Sequence, residues 1–304
     1  MSSRLATLLF DVIIALLLAV IPLYFWDLRG RWPKIPFRGR YVLFCGFLGL
    51  FWLAVFYGSF IEPNLLTVRH YATSAGSGGG KISIAVVSDL HLGIYKGRAW
   101  AERVVRRTNE LEPDVILLTG DFASNMAGLE AFEPLRDLRA KYGVYAVLGN
   151  IDYEVGAVDI RQRVESYGVE VLTNESVRLG DSGREVRLIG LDDLKFGRPD
   201  WEAALAEVPA GALTILAAHN PDAVQRAETD GIDVVIAGHT HGGQIRLPLI
   251  GPLTRLPIRI GQRFDRGLFD YGPVRLLISP GAGETGARAR LFCPPEISVL
   301  EVSY

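Results

Sequence analysis

The chain has 304 residues, 49 % of them apolar, with 32 Lys+Arg against 34 Asp+Glu, and its mean hydropathy of +0.22 is too high for an ordinary water-soluble protein. The excess is local: residues 1–70 carry seven Lys/Arg and three Asp/Glu, the remainder 25 and 31. The acidic remainder argues against sequence-independent nucleic-acid binding, which needs a basic surface. Two cysteines, Cys45 and Cys293, exclude a disulfide scaffold or a thiolate zinc module.

Two apolar runs open the chain. Leu5–Trp26 is interrupted only by Asp11 and Pro22, and Tyr41–Ile61 has no formal charge. Each reaches the roughly 20 residues a bilayer-spanning helix needs, and Tyr24, Phe25, Trp26 and Tyr41 stand near their ends as interface anchors do. A cleaved signal peptide fits the first run poorly, because Arg4 is the only basic residue before it and no small-residue cleavage site follows. The intervening Asp27–Arg40 holds Arg29, Arg31, Lys34, Arg38 and Arg40 against Asp27 alone. Short basic loops stay in the cytoplasm. Residues 1–61 are therefore expected to form a two-helix transmembrane hairpin, basic loop 27–40 inside, with the N-terminus and everything after Ile61 outside. Residues 62–80 read as membrane exit and linker, Ala72–Gly80 being a flexible Gly/Ser stretch.

From Lys81 to the end, short apolar runs alternate with longer polar ones. Strands are predicted at Ile82–Val87, Val115–Thr119, Val144–Leu148, Leu213–Ala218 and Asp233–Ala237, and helices at Arg98–Glu110, Leu129–Lys141, Ala157–Tyr167 and Pro221–Thr229. That alternation is an α/β pattern with buried strands. Later runs at Val186–Ile189, Val274–Ser279 and Ile297–Val302 lack helices between them and suggest antiparallel additions.

Each early strand runs into a chemically loaded turn: Ser88-Asp89-Leu90-His91, Gly120-Asp121, Gly149-Asn150-Ile151-Asp152, His219 and Gly238-His239-Thr240-His241. Ligands of open α/β sheets bind at the carboxyl ends of strands, so one edge collects Asp89, His91, Asp121, Asn150, His219, His239 and His241. Two carboxylates, a carboxamide and four imidazoles are too many donors for one ion. Nitrogen and oxygen donors of this kind suit manganese, iron or zinc, and two divalent metal ions clamping a phosphoryl group is the economical reading.

In that order, D-x-H, G-D, G-N, a separate His and G-H-x-H resemble the calcineurin-like metallophosphoesterases. SDLHLG, LTGDF, AGHTHGGQI and the closing PPEI look especially like the membrane-associated bacterial branch. The resemblance implies a β-sandwich flanked by helices, a bacterial inner membrane, and manganese as the first metal to expect. Asp89, His91 and His241 would hold one ion, Asn150, His219 and His239 the other, and Asp121 would bridge. Asp89, Asp121, Asn150, Asp152 and His219 form the implied catalytic set.

One position departs. The family usually has a histidine after the metal-binding Asn, able to protonate a leaving group; here it is Ile151. Without general-acid help, a phosphoanhydride or an ester with an acidic leaving group is the expected bond. UDP-2,3-diacylglucosamine diphosphatases also lack that histidine, so a lipid A precursor diphosphatase with its domain on the cytoplasmic face is the first alternative. A metal-binding sensor or scaffold without turnover is the second. The expected partner is a phosphorylated lipid or nucleotide-sugar-lipid at a membrane. Arg246, Arg255, Arg259, Arg263 and Arg266 are either a phosphate-holding rim pressed on the membrane surface or scattered solvated charges, and Asp192-Asp193 reads as a turn.

Overall fold

A computed structural model describes residues 3–31, 38–76, 79–180 and 185–304; Trp32–Phe37 of the basic loop and Ser77–Gly78 of the linker lie outside them. The chain opens with helices α1 (Ser3–Arg31) and α2 (Arg38–Phe56), the latter continuing through a π turn at Tyr57–Ile61 and a 3-10 turn at Glu62–Asn64. They run antiparallel: Trp52 Nε1 donates to Leu18 O (3.1 Å), and the Tyr24 and Phe44 rings meet edge to face. Both are long and apolar enough to cross a membrane, and only 11 % of each apolar window is buried, unlike a soluble core helix. At 1.5 Å per residue α1 is about 43 Å long, more than the roughly 30 Å of a hydrocarbon core. Its N-terminal turns therefore have length to spare, and Asp11 lies there, 3.4 Å from the Tyr95 hydroxyl of the following domain.

The domain strings together β1 (Thr67–Ser74), β2 (Lys81–Val87), α3 (Arg98–Asn109), β3 (Val115–Leu118), β4 (Val144–Ala146), α4 (Asn150–Val155), α5 (Ala157–Glu165), β5 (Glu170–Val171), β6 (Glu175–Leu179), β7 (Val186–Gly190), α6 (Trp201–Leu205), β8 (Leu213–Ala217), α7 (Val224–Thr229), β9 (Val234–Ala237), β10 (Arg246–Leu247), β11 (Gly251–Pro252), β12 (Gly267–Tyr271), β13 (Val274–Ile278) and β14 (Glu296–Ser303). Two six-stranded sheets result, in the orders β1-β14-β2-β3-β4-β5 and β12-β13-β9-β8-β7-β6.

Strand period two explains the layers. Ile82, Ile84 and Val86 of β2 turn inward with Val115, Leu117 and Leu300, meeting Leu213, Ile215, Val234 and Ile236 of the other sheet. Ala85 and Val87 turn outward onto Trp100 and Val104 of α3. Leu216 and Val235 do the same for Val224 and Ala227 of α7. Burying one such aliphatic side chain contributes roughly 1.5–3 kcal/mol. The expected sandwich flanked by helices is the observed architecture.

Four expectations are corrected. The linker start is strand: Ala72–Ser74 belong to β1, which pairs in parallel with Glu301–Ser303 of β14, so the sheet reaches back past Lys81. Leu129–Lys141 is no α-helix but two 3-10 turns, Met126–Ala131 and Glu133–Asp137, the second opening on Pro134. Val186–Ile189, expected as an antiparallel addition, is antiparallel on one side only: β7 pairs antiparallel with β6 but parallel with β8, to which α6 supplies the crossover. In β13 and β14 the orientation is mixed: β13 is parallel to β9 and antiparallel to β12, and β14 is antiparallel to β2 and parallel to β1.

Candidate metal centre

The turns after β2, β3 and β4 of one sheet and after β8 and β9 of the other meet at one edge of the sandwich. There His91 Nε2 lies 3.1 Å from His241 Nε2, and His241 Nε2 lies 3.2 Å from Asp89 Oδ1. His239 Nδ1 lies 3.1 Å from His219 Nε2. Asp121 Oδ2 stands between the two histidine pairs, 3.5 Å from His91 Nε2 and 3.4 Å from His219 Nε2. One ligand atom from each of Asp89, His91 and His241 falls within 4.8 Å of the others, as does one from each of Asp89, Asp121 and His219. Asn150 starts α4 beside them and is buried.

Backbone geometry is bent to this purpose. Among the described residues ten non-glycines have left-handed φ, and five of them are Asp89, His91, Asp121, His239 and His241. That conformation costs an L-residue roughly 1–2 kcal/mol, and such strain gathers at functional sites. Gly238 is required by space: a Cβ there would collide with Ser88 Oγ and Asp89 Oδ2.

The residues present fit a pair of cations. Thr119 O, 2.7 Å from His219 Nδ1, and Pro257 O, 3.3 Å from His239 Nε2, each accept the N–H of that nitrogen. The remaining nitrogens then face each other as two lone pairs, an arrangement that needs a proton or a cation between them. Asp89 Oδ1 and Asn150 Oδ1 are buried acceptors with no hydrogen-bond donor, which ordinary protein interiors avoid. Burial pushes His91 and His239 down to about 4, leaving neutral rings with free lone pairs. Burial opposes ionisation of both aspartates, yet His241 beside Asp89 and His219 beside Asp121 hold each below the usual carboxylate range. Burial also works against a charged His219, but the Asp121 carboxylate overrides it and drives the ring up to about 10.

Asp152, expected among the catalytic residues, sits elsewhere. Its carboxylate is fully buried and accepts the backbone N–H groups of Asp121 (2.8 Å), Phe122 (2.8 Å) and Gly149 (2.9 Å). It ties the β3 turn to the β4 turn and is a positioning residue. Ile151 is placed differently: its side chain lines a cavity of about 240 Å³ together with His91, Tyr95, Asn125, Glu154 and Glu284. Glu284, unmarked by any motif in the sequence, also lines this cavity; it is buried, 3.4 Å from the Lys96 ammonium, and carried by the loop after β13. The Gly-rich Ser279–Gly286 stretch following an apolar run was the available signal. Of the arginine row, Arg246 pairs with Asp265 (2.5 Å) and Arg266 donates to Phe292 O, while Arg255, Arg259 and Arg263 are exposed. Asp192 and Asp193 accept backbone N–H groups at Arg198, Lys195 and Phe196, the turn expected.

A double-sheet sandwich that gathers nitrogen and oxygen donors at its strand ends is the framework of a metal-dependent phosphohydrolase. Residues 82–243 match the sequence profile of the calcineurin-like phosphoesterases, and the chain belongs to that family. It is 30 % identical to an uncharacterized metallophosphoesterase of Bacillus subtilis, YkuE, over 254 residues, covering 80 % of this chain and 88 % of that one. It is 34 % identical to a Bos taurus transmembrane protein with metallophosphoesterase domain over 238 residues, 72 % of this chain but only 52 % of the bovine protein. Among solved structures it is similar to the Thermus thermophilus sulfate thiohydrolase SoxB, with a TM-score of 0.44 at 12 % identity, over 75 % of this chain and 57 % of that one.

Proposed function

We propose that the chain is a membrane-anchored phosphohydrolase using two divalent metal ions to cleave a phosphoanhydride, or an ester with an acidic leaving group, in a lipid or envelope substrate. In this reading Asp89, His91 and His241 would hold one ion, Asn150, His219 and His239 the other, and Asp121 would serve both. The observation that carries it is the position of Asp121 Oδ2, about equally far from His91 Nε2 and His219 Nε2. When bound, the ions supply Lewis-acid polarisation of the phosphoryl group and activation of the attacking water. The chain's own part is to hold five oxygen and nitrogen ligands on strained turns, to fix two imidazole tautomers through Thr119 O and Pro257 O, and to border the departure side with Ile151. An aliphatic wall there offers no proton, which favours bonds whose leaving oxygen is already stable as an anion.

Manganese is the first ion to load, iron and zinc the next. The helical hairpin and the bovine transmembrane relative support membrane anchoring. The test is metal-dependent hydrolysis of bis-p-nitrophenyl phosphate by the purified full-length chain, followed by a panel of lipid and nucleotide-sugar phosphates. No turnover with any of the three metals would sink the reading.

A further inference from the structure

A second cavity, about 350 Å³, lies between the helical hairpin and the domain, walled by Phe10 and Leu17 of α1, Phe51 and Val55 of α2, and Leu247 and Leu291 of the domain. We infer that it holds an acyl chain of the substrate whose phosphate reaches the metal centre, so that the hairpin is part of the substrate site and more than an anchor. This rests on the phosphohydrolase reading above and names the substrate's other half.

Its lining suits hydrocarbon: among the described residues Ser59 contributes the only polar side chain, too little to orient a sugar, a base or a charged group. Its position suits a molecule anchored at the metals. Thr7 of α1 lines the cavity that contains His91 and Ile151, and Phe10 of the same helix lines the apolar one. Three residues advance a helix by only about 4.5 Å. The loop after β13 is likewise shared, with Glu284 to Gly286 on the first cavity and Ala289 and Leu291 on the second. The surroundings suit lipid: Leu9, Leu16, Leu249 and Ile250 are all at least half exposed, Leu249 completely. An apolar surface of this kind beside an apolar groove marks contact with membrane. Tyr95, which lines the first cavity, touches both Asp11 and Gly286 O, so α1 and the shared loop are held together there.

The experiment uses the full-length protein in lipid nanodiscs, loaded with Mn²⁺, and a series of monoalkyl diphosphates of increasing chain length. Wild type should prefer the long chain, and Ala54→Trp, which fills the apolar cavity from α2, should lower the long-to-short ratio of kcat/KM by about fourfold or more, the worth of one buried methylene. Substrate partitioning into the disc is common to both proteins and cancels in the comparison. Ala54→Leu should give a smaller drop in the same direction, and serves if the tryptophan variant does not fold. Independently, an alkyl phosphate with a terminal diazirine should label Leu247 and Leu291 on the domain wall of the cavity on illumination, whereas the same chain on a trimethylammonium head, which labels the lipid-facing sides of α1 and α2, should not label that wall. An unchanged ratio in both variants, or equal labelling by the two heads, overturns the inference, the latter because the cavity would then hold bulk lipid. Wild type hydrolysing no phosphoester and no phosphoanhydride would defeat the phosphohydrolase reading instead, while the labelling would still report on the cavity.

Discussion

Ile151 donates its backbone N–H to Asp121 Oδ1 at 2.8 Å. The residue that brings no acid to the site still orients, through its main chain, the carboxylate at its centre. Side chain and backbone at this position thus have separate jobs, and only the side-chain job has been given up.

Restoring the acid should therefore be possible without disturbing Asp121. In the parent protein the rate should fall steeply as the leaving-group pKa rises. Ile151→His should flatten that slope, raising turnover of alkyl esters by up to roughly 10²–10⁴-fold while changing anhydride cleavage little. A shallow slope in the parent would instead point to another donor on the same cavity, with Glu284 the first to replace.

Asp121→Asn keeps the N–H acceptor for Ile151 but removes the charge shared by the two histidine pairs. It should abolish hydrolysis in a protein whose circular dichroism is unchanged. Elemental analysis should find two metals per parent chain and fewer in the variant. Chelation should lower the Tm of the parent, since metal binds only the folded state, and should hardly move that of the variant. One metal in a fully active parent would overturn the dinuclear assignment.

Asp152→Ala should behave as a folding defect. It strands three backbone N–H groups, each costing roughly 1–3 kcal/mol when buried and unpaired. Burial, with the nearby Asp121 charge, raises Asp152 to about 7, a value that could be mistaken for that of a catalytic acid. The discriminating measurement is the leaving-group slope of whatever activity survives: it should match the parent, whereas loss of a true proton donor would steepen it.

The orientation of the hairpin is open to a direct assay. With the basic loop in the cytoplasm, alkaline phosphatase fused after Tyr304 should be active and a cytoplasmic fluorescent protein dark. The reverse pattern would move the catalytic domain inside and bring the lipid A precursor diphosphatase reading to the front.

The residues gathered at the candidate centre were legible in the sequence because each lies within four residues of the end of a continuous apolar run, and the buried strands of both sheets deliver their following turns to the same edge. Asp152 misled because direction was the missing information: one residue past Ile151 on a one-turn helix, its carboxylate turns back to Gly149 and across to Phe122. β1 was hidden for a different reason. Its partner β14 lies more than two hundred residues away, and Ala72-Thr73-Ser74 has a loop's composition, so pairing with a distant strand overrode local propensity. The apolar cavity was invisible for the same cause, since α1, α2 and the β10–β11 loop meet only in three dimensions.

Only Leu65 and Leu66 separate the last turn of the α2 segment from β1, and that turn is itself bolted down: Glu62 accepts the N–H groups of Phe292 and Cys293, and Lys96 donates to Pro63 O at 2.6 Å. In a bilayer such a joint leaves no swing, so the catalytic edge would ride at one fixed height and sweep a plane. With the lipid substrate proposed above, encounter would then follow its lateral density, a kinetics of mole fraction in place of molarity. Adding inert lipid at constant total substrate should slow turnover, while adding buffer should leave it unchanged.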